Sequence, residues 1–413
     1  PGEKPYVQLE IDPAQTRIEP VAFPYVMYRF EGKGIYRDGQ VMWNSLTARH
    51  GDVRLECSGA FVGTQTSGTL ELRDLESGNL VYDEGLRVAA PPSLRATLEF
   101  LRPDAPVGIR FPEVKLHWEN GAGRQWRIDL DGGIALRDAS LMPAVGLENV
   151  TGQLWYRGSC TNDVPKFDGN IKLATVTIEG FTATDVQSSF HVDGNRIEMP
   201  NLRGRMYAGQ LHGSVRAEAS SDGKYESRFN LYGAKLREYM KSRPGTPPSA
   251  DGMVYLDLFL EGDSASVNKL RGRGKLDILE ADIDRLPMLQ DLFRIGNLQS
   301  PRGKAFEEVN CDFRVDDRMV WIETLDLLGP SSIVGPSFNL FSDGEGSLNV
   351  NTWELDLAVS ARWGRGRIRV PVLTPSFNLA SDQMFSFNVR GTLDKPQITP
   401  APLKGFTNFL GGD

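Results

Sequence analysis

The chain has 413 residues, of which 40% are hydrophobic and 24% charged, so it holds enough apolar material for a core and is not an intrinsically disordered segment. Its formal net charge of −8 excludes the dominant basic footprint of a nucleic-acid-binding protein, so we expect no nucleic-acid partner. The 43 glycines and 25 prolines follow no period, which is typical of many turns between short strands.

The sequence shows neither a membrane-spanning segment nor the cysteine pattern of a disulfide-stabilised protein. No stretch approaches the roughly 18 consecutive apolar residues that a membrane-spanning helix needs. The chain starts at Pro1 without an initiating methionine, from which we expect any membrane anchor to lie upstream in a longer protein. Cys57, Cys160 and Cys311 are far apart and form no CxxC pair, which indicates neither a disulfide framework nor a metal or redox motif.

Apolar residues that alternate with polar ones recur along the whole chain and predict strands with one apolar face. Asp-Gly pairs separate several of these runs, and such a pair adopts the positive φ that a two-residue hairpin turn requires, so we expect antiparallel neighbours. In chain order the alternating sets are Leu116 and Trp118; Trp126, Ile128 and Leu130; Leu154 and Tyr156; Ile171 and Leu173; Phe229 and Leu231; Val254, Leu256, Leu258 and Leu260; Leu355, Leu357 and Val359; and Phe385, Phe387 and Val389. The predicted turns are Asp38-Gly39, Asp131-Gly132-Gly133, Asp193-Gly194, Asp222-Gly223 and Asp343-Gly344.

One strand–turn–strand unit recurs, beginning near Tyr36, Phe190 and Phe313. Each copy continues through a bend at a leucine into a further strand, and repeats of this kind stack end to end into elongated structures. The Pro/Gly/Ser-rich stretch 243–249 is the predicted linker. It divides an N-terminal β-repeat region, 1–249, from a C-terminal region, 250–413, and we expect the two to form one continuous elongated sheet.

Helical patterns are scarce. Residues 93–101, 234–243, 282–297 and 403–410 place apolar side chains at helical spacing, and we predict that these short helices cap the sheet. The last of them brings Phe406, Phe409 and Leu410 together, and its two interpretations are a cap on the sheet or a contact with a membrane or partner.

Residues 250–413 carry an ordered series of short motifs. The strand 256–262 is followed after a spacer by the Gly-x-Gly strand 270–278, then by the hairpin 311–328, the strand pair 346–357 and the closing strand 389–396. This order and spacing resembles the C-terminal part of the AsmA-like family, which includes the TamB-type bacterial envelope proteins. The chain departs from the family pattern at Ala281 and Asp317, where glycine is usual.

The resemblance implies a periplasm-facing protein that is anchored in the inner membrane by a segment outside this chain. It also implies a long curled β-sheet with an apolar groove, similar to bridge-like lipid transfer proteins. The implied partners are phospholipid or another acyl-chain lipid, a membrane at one or both ends, and an envelope protein. The implied process is phospholipid transport between the inner and outer membranes, in support of outer-membrane biogenesis.

The apolar face of such a sheet also constrains the fold on physical grounds. It must be covered by another layer, by lipid or by itself, and the predicted helices are too few to cover it. Either the sheet folds over into a sandwich or solenoid, or it curls and leaves a trough, in which a lipid gains about 0.8 kcal/mol per buried CH₂. We predict a mainly β chain, a long twisted antiparallel sheet curled into a groove with a few short capping helices. The residues predicted to contact lipid are Val254, Leu256, Leu258, Leu260, Leu276, Ile278, Leu355, Leu357, Val359, Phe385, Phe387 and Val389.

Signals for catalysis are weak. The four histidines are dispersed and no hydrolase, metalloprotease or nucleotide-binding motif occurs, so we expect no catalytic residue, no metal and no cofactor. Two other functions remain open. One is a structural or assembly factor that binds β-rich envelope clients at the sheet edges, and the other is a carbohydrate-active β-solenoid, whose carboxylates come from distant strands and leave no local motif.

Overall fold

The computed structural model describes residues 8–11, 16–18, 25–64, 66–90, 95, 103–120, 124–141, 146–220, 223–242, 250–263, 266–283, 306–330, 337–342, 344–364, 383–392 and 395–401. In this part of the chain the protein is mainly β, with antiparallel strand pairs and short helices α1 (Glu84–Ala89) and α2 (Leu236–Ser242). This confirms the predicted fold class, an antiparallel sheet with few helices.

In chain order the strands are β1 (Gln8–Ile11), β2 (Arg17–Ile18), β3 (Met27–Arg37), β4 (Gln40–His50), β5 (Val53–Gly63), β6 (Ser67–Leu80), β7 (Val107–Asn120), β8 (Arg124–Leu141), β9 (Leu147–Thr161), β10 (Val164–Ile178), β11 (Phe181–Asp193), β12 (Arg196–Met206), β13 (Gly209–Glu218), β14 (Lys224–Lys235), β15 (Asp251–Asp263), β16 (Ser266–Asp282), β17 (Glu308–Asp316), β18 (Met319–Leu328), β19 (Ser337–Ser342), β20 (Gly346–Asn349), β21 (Glu354–Gly364), β22 (Gln383–Thr392) and β23 (Lys395–Ala401).

The chain divides into two compact units. Unit 1 comprises residues 1–205, 213–226 and 263–265, and unit 2 comprises residues 206–212, 227–262 and 266–413. The predicted linker 243–249 lies outside the described residues, and the predicted boundary at residue 249 stays a prediction.

In unit 1, strands β3 to β12 form an uninterrupted antiparallel ladder in which each strand pairs with the next in sequence. Strands β1 and β2 both pair with β3. The hairpins predicted at Asp38-Gly39 and Asp193-Gly194 are confirmed: Asp38 has φ 49° and Gly39 φ 84°, while Gly194 has φ 61°. Positive φ at these positions matches the twist of the flanking strands, which is why the Asp-Gly signal identified them.

The predicted turn at Asp131-Gly132-Gly133 is wrong, because these residues lie inside strand β8. Its ladder with β9 runs without a break from Arg127 to Leu136. A Cβ at Gly132 would lie 2.4 Å from Cδ1 of Phe111, and a Cβ at Gly133 would lie 2.5 Å from the Leu154 carbonyl oxygen. These glycines therefore permit close packing on the sheet surface rather than a change of chain direction.

In unit 2, strand β16 pairs with β17 and β17 with β18. Strands β19 and β20 together fill one strand position, since both pair with β18 on one side and with β21 on the other. Strands β21, β22 and β23 complete the ladder. The third predicted repeat hairpin is confirmed as β17–β18, and Asp317 in its turn has φ 59°.

The helices lie where strands connect over longer distances. Helix α2 confirms the helix predicted at 234–243, whereas α1 was not predicted. Of the other predicted helices, 403–410 lies outside the described residues, and 93–101 and 282–297 lie almost wholly outside them. Of the helices in the described part of the chain, none has the length and apolar character needed to cross a membrane.

Candidate functional site: the inner apolar face

The register of unit 1 places the alternating apolar residues of successive strands on one common face, which we call the inner face. Leu116 of β7 lies opposite Ile128 of β8, Ile128 lies opposite Cys160 of β9, and Cys160 lies opposite Pro165 of β10. Tyr156 lies opposite Gly132 and Gly169 in the same way. Since opposite residues in a ladder point to the same side, the apolar sets predicted from single strands combine into one surface.

The connections of unit 1 differ at the two ends of its strands. The two-residue turns 38–39, 162–163 and 194–195 lie at one end of the strands, called the turn side. The longer connections, 81–106 with α1 and 142–146, lie at the other end, called the loop side, where the two-residue turns 51–52 and 179–180 also lie.

On the inner face of unit 1, apolar residues are more buried near the loop side than near the turn side. Buried residues near the loop side are Phe111, Leu136, Ala139, Leu141, Val150, Val176, Ala183 and Val186. Near the turn side the apolar residues Leu116, Trp118, Trp126, Ile128, Phe167, Ile171, Phe190, Val192 and Ile197 are only half-buried, while Cys160 is buried. The inner face is thus covered on the loop side and accessible on the turn side.

Aromatic rings on this face lie over glycines of the neighbouring strand. A Cβ at Gly158 would approach within 2.7 Å of Phe167, one at Gly169 within 2.5 Å of Phe190, and one at Gly68 within 2.2 Å of Trp118. Because glycine has no side chain, the ring packs directly against the neighbouring backbone. The surface in these places is smooth and apolar.

The same rings contact one another across strands. Tyr156 makes edge-to-face contacts with Phe111 and with Phe167, at centroid distances of 5.9 and 5.5 Å, and Phe61 stacks on Trp118 at 5.8 Å. Burial raises the pKa of the Tyr156 hydroxyl, which therefore stays neutral at ordinary pH. The aromatic surface carries no ionised group at this point.

In unit 2 the first set of predicted lipid-contacting residues is half-buried. It comprises Val254, Leu256, Leu258 and Leu260 of β15 and Leu276 and Ile278 of β16. A Cβ at Gly272 would lie 2.7 Å from Cδ2 of Leu260, and Gly272 is opposite Val315 of β17, so these side chains share one face. The structure thus brings the β15 and β16 residues together on a half-buried apolar face, on which Leu276 and Ile278 pack against the core of unit 2.

The second set of predicted residues is fully buried. Leu355, Leu357 and Val359 of β21 are 6%, 3% and 5% exposed, and Phe387 and Val389 of β22 are 2% and 1% exposed. All five belong to an apolar core of unit 2 that also contains Phe306, Ile283 and Ala281. In this structure they contact other core side chains. The backbone of Phe385 lies in β22 opposite Ala361, and Phe406, Phe409 and Leu410 lie outside the described residues.

The opposite, outer face carries the charges. The carboxylates of Asp131 and Asp168 pair across strands with Arg157 and His191, the latter at 2.7 Å between Oδ1 and Nδ1. In unit 2 the ring of Phe259 has the guanidinium groups of Arg228 and Arg273 at 5.4 and 5.9 Å from its centroid. Among the described residues, no group of His, Cys, Asp and Glu is arranged to hold a metal ion.

Comparisons with protein-family models, with curated proteins and with solved structures give no match. The AsmA-like assignment therefore stays a prediction from the sequence.

Sequence reasoning missed most of the aromatic surface of unit 1, namely Phe61, Phe111, Phe167 and Phe190. A usable signal was present, since Gly132, Gly158 and Gly169 occupy inner positions of otherwise apolar alternation. A glycine at such a position indicates close approach of a large neighbour. The neighbour is identified only when the register between strands is known.

Proposed function

We propose that the protein binds acyl-chain lipid on the accessible part of its inner face and supports phospholipid transport between the inner and outer membranes of a bacterial envelope. Transport in this proposal is passive and needs no catalytic residue. The observation that carries it is a half-buried apolar surface within each unit, on β7–β12 in unit 1 and on β15–β16 in unit 2.

The energetics of this surface favour an apolar ligand. Half-buried leucine, isoleucine and aromatic side chains leave apolar area in water, and covering it is favourable by about 25 cal/mol per Å². Each acyl CH₂ that leaves water adds about 0.8 kcal/mol, so a long chain is held without a polar anchor. A surface of this kind accepts different lipids and lets them slide, which suits a conduit better than a binding site of fixed geometry.

The arrangement of charge supports the same proposal over a carbohydrate-active function. A glycosidase needs two carboxyl groups facing one substrate across a cleft. In this protein Asp131, Asp168 and Asp356 lie on the outer face and pair with Arg157, His191 and Arg390.

The test uses site-specific photocrosslinking in cells that make the full protein. A photoreactive phenylalanine analogue at Leu258 should crosslink to phospholipid, and the same analogue at the exposed neighbour Asp257 on the outer face should not. Phe167 and Lys166 form the equivalent pair in unit 1, half-buried and exposed. Lipid extraction of the purified protein, followed by mass spectrometry, identifies the bound species.

Equal crosslinking at inner and outer positions, or purified protein without lipid, would contradict the proposal. Recovery of an envelope protein without lipid would instead favour the assembly-factor function.

A further inference from the structure

His50 is a titratable residue at the loop side of the inner face of unit 1. It is the last residue of β4, lies opposite Val53 of β5, and shares its face with the apolar residues Leu46 and Ala48. Its side chain is 23% exposed. A polar ring in this position needs partners for both of its nitrogens.

Both ring nitrogens of His50 face oxygen atoms that accept hydrogen bonds. Nδ1 is 2.6 Å from the carbonyl oxygen of Val26, and Nε2 is 3.3 Å from Oδ2 of Asp83. A neutral imidazole carries one N–H and therefore satisfies one of these acceptors, whereas the imidazolium donates to both. The arrangement is complete only when the ring is protonated and Asp83 is ionised.

Asp83 connects this ring to helix α1. It is the N-cap residue, and its Oδ1 accepts a hydrogen bond of 2.7 Å from the backbone N–H of Leu86. Leu86 and Ala89 of the helix are 8% and 3% exposed and pack on a cluster that includes Phe30 and Ala48. One carboxylate thus joins the helix start to the end of β4, at the place where α1 covers the inner face.

Two tyrosines and a charged pair on helix α1 surround the ring. The ring of Tyr25 stacks on His50 at 4.1 Å, and Tyr28 lies at 6.3 Å. Burial, followed by the negative charge of Asp83 and by Tyr28, raises the pKa of Tyr25, which stays neutral. On the helix, Glu84 and Arg87 pair with each other at 2.6 Å. Histidine is the side-chain type whose ordinary charge change falls near neutral pH.

We propose that His50 is a proton-operated latch that holds helix α1 over the loop side of the inner face. With the ring protonated, both hydrogen bonds form and the helix is closed. As the pH rises and the ring loses its proton, one nitrogen presents a lone pair to an oxygen acceptor, one hydrogen bond is lost, and α1 opens more often. The latch belongs to the fold of unit 1 and does not depend on lipid binding.

The test is amide hydrogen exchange of the full chain, with rates corrected for the intrinsic effect of pH. The amides of Arg87 and Ala90 report on α1, because they donate to the carbonyls of Asp83 and Leu86. In the wild-type protein we expect their protection to fall about tenfold between roughly pH 5.5 and pH 8.5, the scale of one hydrogen bond to a charged group. Amides of the β10–β11 ladder should show no such change.

Two variants and one control separate the latch from a general effect of pH. His50→Gln should abolish the pH dependence, and Asp83→Asn, which keeps an oxygen for the N-cap, should abolish or reverse it because an amide donates to a neutral ring. His117→Gln is the matched control, since that exposed histidine contacts only the Thr69 hydroxyl, at 3.1 Å, among the described contacts. Unchanged α1 protection across this pH range in the wild type, or the same pH dependence in His50→Gln, would overturn the proposal.

Discussion

Strands β7–β12 of unit 1 and strands β21–β22 of unit 2 carry the same two-residue alternation, but their inner faces differ in burial. In unit 1, Phe167 and Ile171 are half-buried. In unit 2, Leu357 and Val389 are 3% and 1% exposed within a filled core. Alternation therefore identifies which face of a strand is apolar, and it does not say whether that face is covered.

The residue types at the inner positions of the two regions also differ. In unit 1, Gly132, Gly158 and Gly169 lie at inner positions, and the neighbouring rings lie over them along the sheet. In β21 and β22 the inner positions hold aliphatic side chains and phenylalanine, which bury one another in the core of unit 2. Glycine alone does not decide burial, because Leu357 also lies over a glycine of the neighbouring strand, Gly346, and is nevertheless buried.

The largest effect is expected when a phenylalanine is replaced by alanine in the core of unit 2, compared with the same replacement on the inner face of unit 1. Phe387→Ala removes a ring that is 2% exposed, and we expect the free energy of unfolding to fall by about 3–5 kcal/mol. Phe167→Ala removes a half-buried ring, and we expect a loss of about half that size, because less apolar area returns to water. Denaturant unfolding of both variants measures the difference.

The control for this pair is the slope of the unfolding transition with denaturant, which should stay constant if the variants change stability alone. Equal losses for the two variants would mean that the inner face of unit 1 is as well covered as the core of unit 2, and the contrast between the units would be lost.

The next largest effect is expected when a glycine that lies under an aromatic ring is replaced by alanine. A Cβ at Gly158 would lie 2.0 Å from the Lys166 carbonyl oxygen and 2.7 Å from Phe167. Gly158→Ala must therefore shift backbone as well as the ring, and we expect it to destabilise the protein by about 1–3 kcal/mol. Gly78→Ala in strand β6 is the matched control, since a Cβ there meets nothing within 4 Å. A neutral Gly158→Ala would show that the ring does not lie on that backbone.

The reactivities of Cys57 in unit 1 and Cys311 in unit 2 allow the two units to be compared without a destabilising substitution. Burial, with smaller effects from Asp312 and Asp326, raises the pKa of Cys311 to about 11. At about pH 8 roughly one Cys311 thiol in a thousand is ionised, and the thiolate is the reactive form. Burial also raises the pKa of Cys57, but this residue is half-buried on the inner face of unit 1.

We expect iodoacetamide to modify Cys57 at least about tenfold faster than Cys311 in the native protein, as measured by peptide mass spectrometry. Raising the pH should accelerate both reactions, because the thiolate fraction of each residue grows up to its raised pKa. In denaturant the two cysteines should react at similar rates. Faster modification of Cys311 than of Cys57 in the native state would contradict a filled core in unit 2.

The parts of the fold that the sequence predicted are those with a local cause. Asp38-Gly39 and Asp193-Gly194 form hairpins because the turn conformation is encoded in the two residues themselves. Asp131-Gly132 is also an Asp-Gly pair, but it lies inside β8. A glycine is present there because the ring of Phe111 on the neighbouring strand leaves no room for a side chain. Helix α1 was missed because six residues with one buried Leu–Ala pair give no helical period.

For the candidate surface, the sequence predicted which residues of a strand share a face but not how deeply they are buried. Alternating residues such as Leu256, Leu258 and Leu260 lie on one side of their strand, because the side-chain period of a strand is fixed. The division between the half-buried β15–β16 residues and the buried β21–β22 residues was not predictable. Burial depends on side chains from other strands and connections, and single-strand patterns contain no information about them.

The smallest expected effect lies on the outer face, where charge pairs connect neighbouring strands of unit 1. Arg157 pairs with Asp131, and the arginine side chain is 78% exposed. Solvent screens such a pair, so we expect Arg157→Ala to change the free energy of unfolding by about 0–1 kcal/mol, and by less at high salt. Arg127→Ala, which removes a pair within one strand, is the matched comparison. A loss as large as that of Phe167→Ala would mean that the outer charges, and not the rings of the inner face, hold these strands together.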